Sequence, residues 1–141
     1  MVNLNTEETI LYILKNFKVI AVVGCSRDEA KEAHKIPKYL KEVGYKIIPI
    51  NPNADFILGE KAYPSLLEVK EKVEVVDVFR PAKEALEIAK QAKQIGAKAV
   101  WLQSGIISKE AEEFCKSNDI LFVENRCMMV EHSRLKKEGK I

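Results

Sequence analysis

The residues whose types and order suit chemistry begin at Gly24-Cys25-Ser26, directly after the unbroken apolar run Val19–Val23 and ahead of a helical pattern. A glycine at that place permits a sharp turn and a close approach of a ligand to the backbone. The loop N–H groups, the Ser26 hydroxyl and the N-terminus of the next helix together make an anion site, most naturally one for a phosphate. Cys25 stands near that N-terminus, where a thiolate is favoured, but a small residue presenting its N–H to phosphate is the plainer reading. Cys127 and His132 are five residues apart, a spacing that does not share a helical face, so pinning the C-terminal segment is their preferred role. No Ser-His-Asp set, carboxylate pair or metal cluster follows from spacing. The cysteines Cys25, Cys115 and Cys127 are odd in number and lack a C-x-x-C pair, which supports neither a disulfide framework nor a zinc site.

The elements that must position this loop read as strands alternating with helices. Ile36, Tyr39, Leu40 and Val43 form a helical stripe, and Pro37 is expected in its first turn, so the helix should start between His34 and Pro37. Thr6 caps an earlier helix whose Ile10, Ile13, Leu14 and Phe17 share one face. Lys46–Ile50 is a second strand ending in the turn Asn51-Pro52-Asn53. Further strands are expected at Val73–Phe79, Ala97–Leu102 and Ile120–Val123, with a helix opened by Arg80-Pro81 and another capped by Ser108. Trp101 and Cys115 read as core. The fold class is α/β, a Rossmann-like doubly wound, mostly parallel five-stranded sheet with helices on both faces and strand order 3-2-1-4-5. Ligands in such sheets lie beyond the carboxyl ends of the strands. That rule selects Gly24 to Arg27, Asn51 to Asn53, Phe79 to Pro81, Gln103 to Ile106 and Asn125 to Cys127.

Composition bounds the function. The 141 residues are 47% hydrophobic and carry 23 basic against 21 acidic side chains, which fits a single globular domain without a nucleic-acid footprint. There is no long apolar run, and the N-terminus MVNLNTEET is polar, so a cytoplasmic, non-membrane protein is expected. Heavy use of Lys and Glu leans toward a thermophilic source. The loop has only Gly24 where an NAD fingerprint needs three glycines, and the second strand ends in Ile50-Asn51-Pro52 with no acidic ribose clamp. A triphosphate P-loop is absent as well. What remains is a pyrophosphate-bearing nucleotide not read by an acidic clamp. An NAD(P)-dependent oxidoreductase or redox sensor is the competing class.

Six stretches carry a resemblance: Val22–Ser26, Ile50-Asn51-Pro52, Gly59–Leu66, Val78-Phe79-Arg80, Trp101-Leu102-Gln103 and Asn125–His132. Together they strongly resemble the small single-domain CoA-binding proteins, relatives of the CoA-binding domain in the α-subunit of succinyl-CoA synthetase. The resemblance covers nearly the whole chain. It implies a domain that binds coenzyme A or an acyl-CoA, with the pyrophosphate on Gly24-Cys25-Ser26 and the adenine side near Asn51-Pro52. The pantetheine arm would pass Phe79-Arg80-Pro81 toward Gln103-Ser104-Gly105. The synthetase relatives place a lysine just after the proline of the second-strand turn, suited to the 3′-phosphate, whereas Asn53 and Ala54 stand there in this chain. Arg27, Arg80 and Lys61 are the candidate replacements. The ligase relatives work through a phosphorylated histidine and a nucleotide-grasping module on other domains. The resemblance therefore implies a non-catalytic binding module, with an acyl-CoA enzyme as a possible partner.

Overall fold

Five consecutive apolar residues make Val19–Val23 the strand β1, paired on both sides and covered on both faces, as β-branched runs in parallel sheets are. The computed structural model describes residues 6–141. Residues 1–5, on which much of the reading of a polar N-terminus rests, lie outside the described residues. Around β1 stand α1 (Glu7–Asn16), α2 (Glu32–Glu42), β2 (Lys46–Ile50), the short hairpin β3 (Phe56–Ile57) and β4 (Glu60–Lys61), and β5 (Val75–Val78). They are followed by α3 (Ala85–Gln94), β6 (Ala99–Leu102), α4 (Lys109–Ser117), β7 (Leu121–Val123) and α5 (Met128–Lys137), with 3-10 turns at Leu66–Glu68 and Ala82–Glu84. The expected caps are present: Thr6 accepts from the Thr9 N–H, and Ser108 from the Ala111 N–H.

The main sheet is parallel and ordered β2-β1-β5-β6-β7. Counted among its own five strands that is 2-1-3-4-5, which corrects the expected 3-2-1-4-5 while keeping the doubly wound class. Pro49 gives the reason. It lies in β2 opposite Val22 and turns its carbonyl outward, where it accepts from the Tyr63 N–H at 3.0 Å. A further strand on that side would need the N–H that proline lacks, so β2 belongs at an edge. The strand β5, with all four residues buried, instead takes the place beside β1.

The helices divide between the faces. Met128 and Leu135 of α5, Ile36 and Leu40 of α2, and Ile10, Ile13 and Leu14 of α1 join Ile20, Val22, Val75 and Trp101 in one core. Ala85, Ala89 and Ala92 of α3, Ala111 and Cys115 of α4, and Leu66 join Val76, Val78, Val100 and Leu102 in the other. Trp101 and Cys115 are core residues, as their sequence context indicated. No helix among the described residues is long and apolar enough to cross a membrane.

Candidate functional site

At the carboxyl ends of β1, β2 and β5 the loops enclose a cleft of about 850 Å³, a size usual for small-molecule sites. It lies at the switch point of the sheet, where the connections from β1 and β5 leave on opposite faces. One wall is polar and comes from Ser26, Asn51 and Asn53, and another is apolar and comes from Leu66, Phe79 and Ile88. Lys31, Arg80 and Lys83 bring positive charge, and Glu84 and Glu87 bring negative charge.

The β1–α2 loop is held in place by several ties that start from Pro37. The helix α2 begins at Glu32, earlier than Pro37 alone predicts, and the proline sits inside it. Its ring leaves the carbonyl of Ala33, four residues earlier, without an intrahelical donor. The Ser26 N–H takes that carbonyl at 3.0 Å. The ring of the buried His34 bonds the Ser26 carbonyl through Nδ1 at 2.8 Å, so His34 anchors the loop. Ser26 Oγ accepts from the Asp28 N–H at 3.0 Å. Asn51 completes the frame, because its Nδ2 donates to the Cys25 carbonyl and its Oδ1 accepts from the Asn53 N–H. A side chain used at both ends ties two loops together.

Gly24 has φ +89°, and a Cβ there would stand 2.7 Å from the Phe79 carbonyl oxygen. The position requires glycine for the packing of β1 against β5, independently of any ligand. Cys25 is fully buried, and burial, with the nearby charge of Asp77, pushes its thiol up to about 12. The thiolate that a helix N-terminus favours is therefore overridden by desolvation. The first turn of α2 opens on the cleft through Lys31 and Ala33, and its leading N–H groups make it the electropositive end of the helix. Arg80 lines the cleft with its guanidinium bonded to Glu84 through Nε at 3.0 Å and Nη2 at 2.8 Å.

Of the residues selected from sequence, Gly24, Cys25, Ser26, Asn51, Pro52, Asn53, Phe79 and Arg80 converge on the cleft. Arg27 lines a shallow basin beside it. Pro81, Gln103, Ser104 and Gly105 line neither. Pro81 precedes the 3-10 turn that leads into α3. Gln103 is buried, donates from Nε2 to Asp77 Oδ1, and accepts at Oε1 from the Met128 N–H. Gly105 donates its N–H to Asn125 Oδ1 at 2.7 Å. Cys127 takes the N-cap position of α5 outside the cleft lining. The sequence reading missed Lys31, Lys83 and Ile88. The last two follow Arg80 on the same side of the sheet, so the start of α3 was the available signal.

The family model of the CoA binding domain matches residues 18–133, which include every loop of the cleft. The chain belongs to the CoA-binding domain family. Within it, the chain is 34% identical over 121 residues to the YneT protein of Bacillus subtilis, covering 86% of this chain and 90% of that one. It is 39% identical over 98 residues to the ADP-forming acetate–CoA ligase II of Archaeoglobus fulgidus, covering 68% of this chain and 15% of the ligase. A protein of Pyrococcus horikoshii of known structure superposes with a TM-score of 0.88 at 43% identity, covering 93% of this chain and 92% of that one. The family's CoA-binding domain thus occurs both as part of long ligases and as chains of about this length.

Proposed function

We propose that the cleft binds coenzyme A or an acyl-CoA, and that the chain acts as a binding module rather than as a self-sufficient enzyme. The observation that carries the reading is the coincidence of the family match with a cleft of polar and apolar lining at the switch point. The first turn of α2 with Lys31 suits a pyrophosphate, and the wall of Phe79, Leu66 and Ile88 suits a pantetheine arm. The turn that ends β2 reads Asn51-Pro52-Asn53, with no Asp or Glu at the place where NAD enzymes clamp ribose hydroxyls, and the Asn51 amide is already bonded to Cys25 and Asn53. The buried neutral Cys25 offers no nucleophile to a thioester. Chemistry on the acyl group would then belong to a partner enzyme.

Calorimetric titration with CoA, acetyl-CoA, NAD and NADP at one salt concentration tests the reading. CoA and acetyl-CoA should bind and the nicotinamide nucleotides should not. Binding of NAD or NADP without CoA would overturn it in favour of hydride transfer. Incubation with acetyl-CoA should leave the thioester intact and the protein mass unchanged; turnover or acylation would overturn the non-catalytic part.

A further inference from the structure

We infer that Arg27 reads a second anionic group on the ligand, a phosphate monoester on the ribose, separately from the pyrophosphate held in the main cleft. The inference rests on the proposal that the cleft takes coenzyme A. A basin of about 400 Å³ lies against the cleft, lined by Ser26, Arg27, Asp28, Asn51 and Asn53. Ser26, Asn51 and Asn53 line both spaces, so one ligand can extend from one into the other.

The cations nearby sort themselves by what already holds them. Arg80 is engaged by both oxygens of Glu84. Lys61 lies over the Tyr63 ring at 5.1 Å from its centroid and lines neither space. Lys31 and Lys83 line the main cleft only. Arg27 alone of these lines the basin, it is exposed, and among the described residues it makes no ion pair or side-chain hydrogen bond. The one carboxylate in the basin, that of Asp28, accepts from the Ala30 N–H at 3.0 Å. Together with the Asp28 N–H bond to Ser26 Oγ, this fixes the backbone on which Arg27 stands. A guanidinium on a fixed loop, free to form paired N–H bonds, is matched to a phosphate monoester.

The test is titration of wild type, Arg27→Gln and Lys31→Gln with CoA and 3′-dephospho-CoA at low and high salt. Wild type should prefer CoA by about tenfold, the worth of one charge-assisted contact at an exposed site. Arg27→Gln should lose most of that preference by weakening CoA far more than dephospho-CoA. Lys31→Gln should weaken both ligands alike and keep the ratio. High salt should narrow the wild-type preference. Arg27 is exposed, so an unchanged thermal midpoint checks that the variant is folded. Wild type that binds neither nucleotide overturns the coenzyme A reading itself. Wild type that binds both equally, or an Arg27→Gln protein that keeps the wild-type ratio, overturns the assignment of Arg27 alone.

Discussion

On one face of the sheet, Val76, Val78, Val100 and Leu102 meet the alanines of α3 and α4, and the buried side chains of that cluster are aliphatic apart from Cys115 and Phe122. On the other face, at alternate positions of the same strands, Asp77, Trp101 and Gln103 lie beneath α1, α2 and α5. Their polar atoms find partners across the fold: Trp101 Nε1–H donates to the Arg126 carbonyl at 2.8 Å, and Gln103 bridges Asp77 to the start of α5. Tyr39 shares a 2.8 Å hydrogen bond with His132 Nδ1, and the Tyr45 hydroxyl donates to the Leu14 carbonyl. Burial holds His132 below its ordinary value, helped by Lys136 and Lys18. The aliphatic face depends on volume, whereas the polar face depends on pairing. The pairing is incomplete at Asp77 Oδ2, which is buried without a hydrogen-bond partner among the described residues. Desolvation raises that carboxyl to about 7 against the pull of the Gln103 bond.

This contrast gives four measurements, in order of expected size. On the aliphatic face, Phe122→Ala should lower stability by about 3–5 kcal/mol through the cavity it leaves, with no change in pH dependence by chemical denaturation. On the polar face, pH itself is the probe. The folded pKa of Asp77 is raised from 3.8 to about 7, so its contribution is fully present below the unfolded value and is lost as pH rises through the folded one. The loss should be on the order of 3–4 kcal/mol between about pH 4 and pH 7, and Asp77→Asn should flatten that slope. An unchanged slope in Asp77→Asn would place the titration elsewhere and break the contrast.

Gln103→Leu keeps the face filled but leaves Asp77 Oδ1 and the Met128 N–H unpaired, which should lower stability by about 1–3 kcal/mol. It should also move the Asp77 transition to higher pH, since the Gln103 bond lowers that pKa. The smallest effect is expected at Pro37→Ala, where a new N–H competes with Ser26 for the Ala33 carbonyl. One bond replaces another, so stability should change by less than about 1 kcal/mol, while hydrogen exchange at the Ser26 amide speeds up. A Ser26 amide as protected as before would show that the loop does not depend on the proline.

Much of the fold was legible because it rests on local pattern. The apolar run of β1, the stripes of α1 and α2, and the caps at Thr6 and Ser108 are all properties of neighbouring residues. The strand order was not obtained, although Pro49 carried it, since the missing N–H matters only once a neighbour is considered. Eight of the selected residues reached the cleft because strand ends in a parallel sheet fall on one side. Gln103, Ser104 and Gly105 are also at a strand end, but β6 lies one strand beyond the switch point, and Gln103 turns inward to Asp77.

By itself the sequence determined the alternation of strands and helices, the loop that ends β1, and the absence of an acidic clamp after β2, because each depends on residue type and short-range spacing. Tertiary structure decided which groups are already spoken for. Ser26 N–H is taken by Ala33, Arg80 by Glu84, Asn51 by two loops, and Cys25 is closed off from water, leaving Arg27 open. Partners separated by 93 residues, as Tyr39 and His132 are, or by 127, as Glu7 and Arg134 are, leave no periodic trace in the chain. Hydrogen bonding and desolvation act through space, and only the packed molecule states the distances.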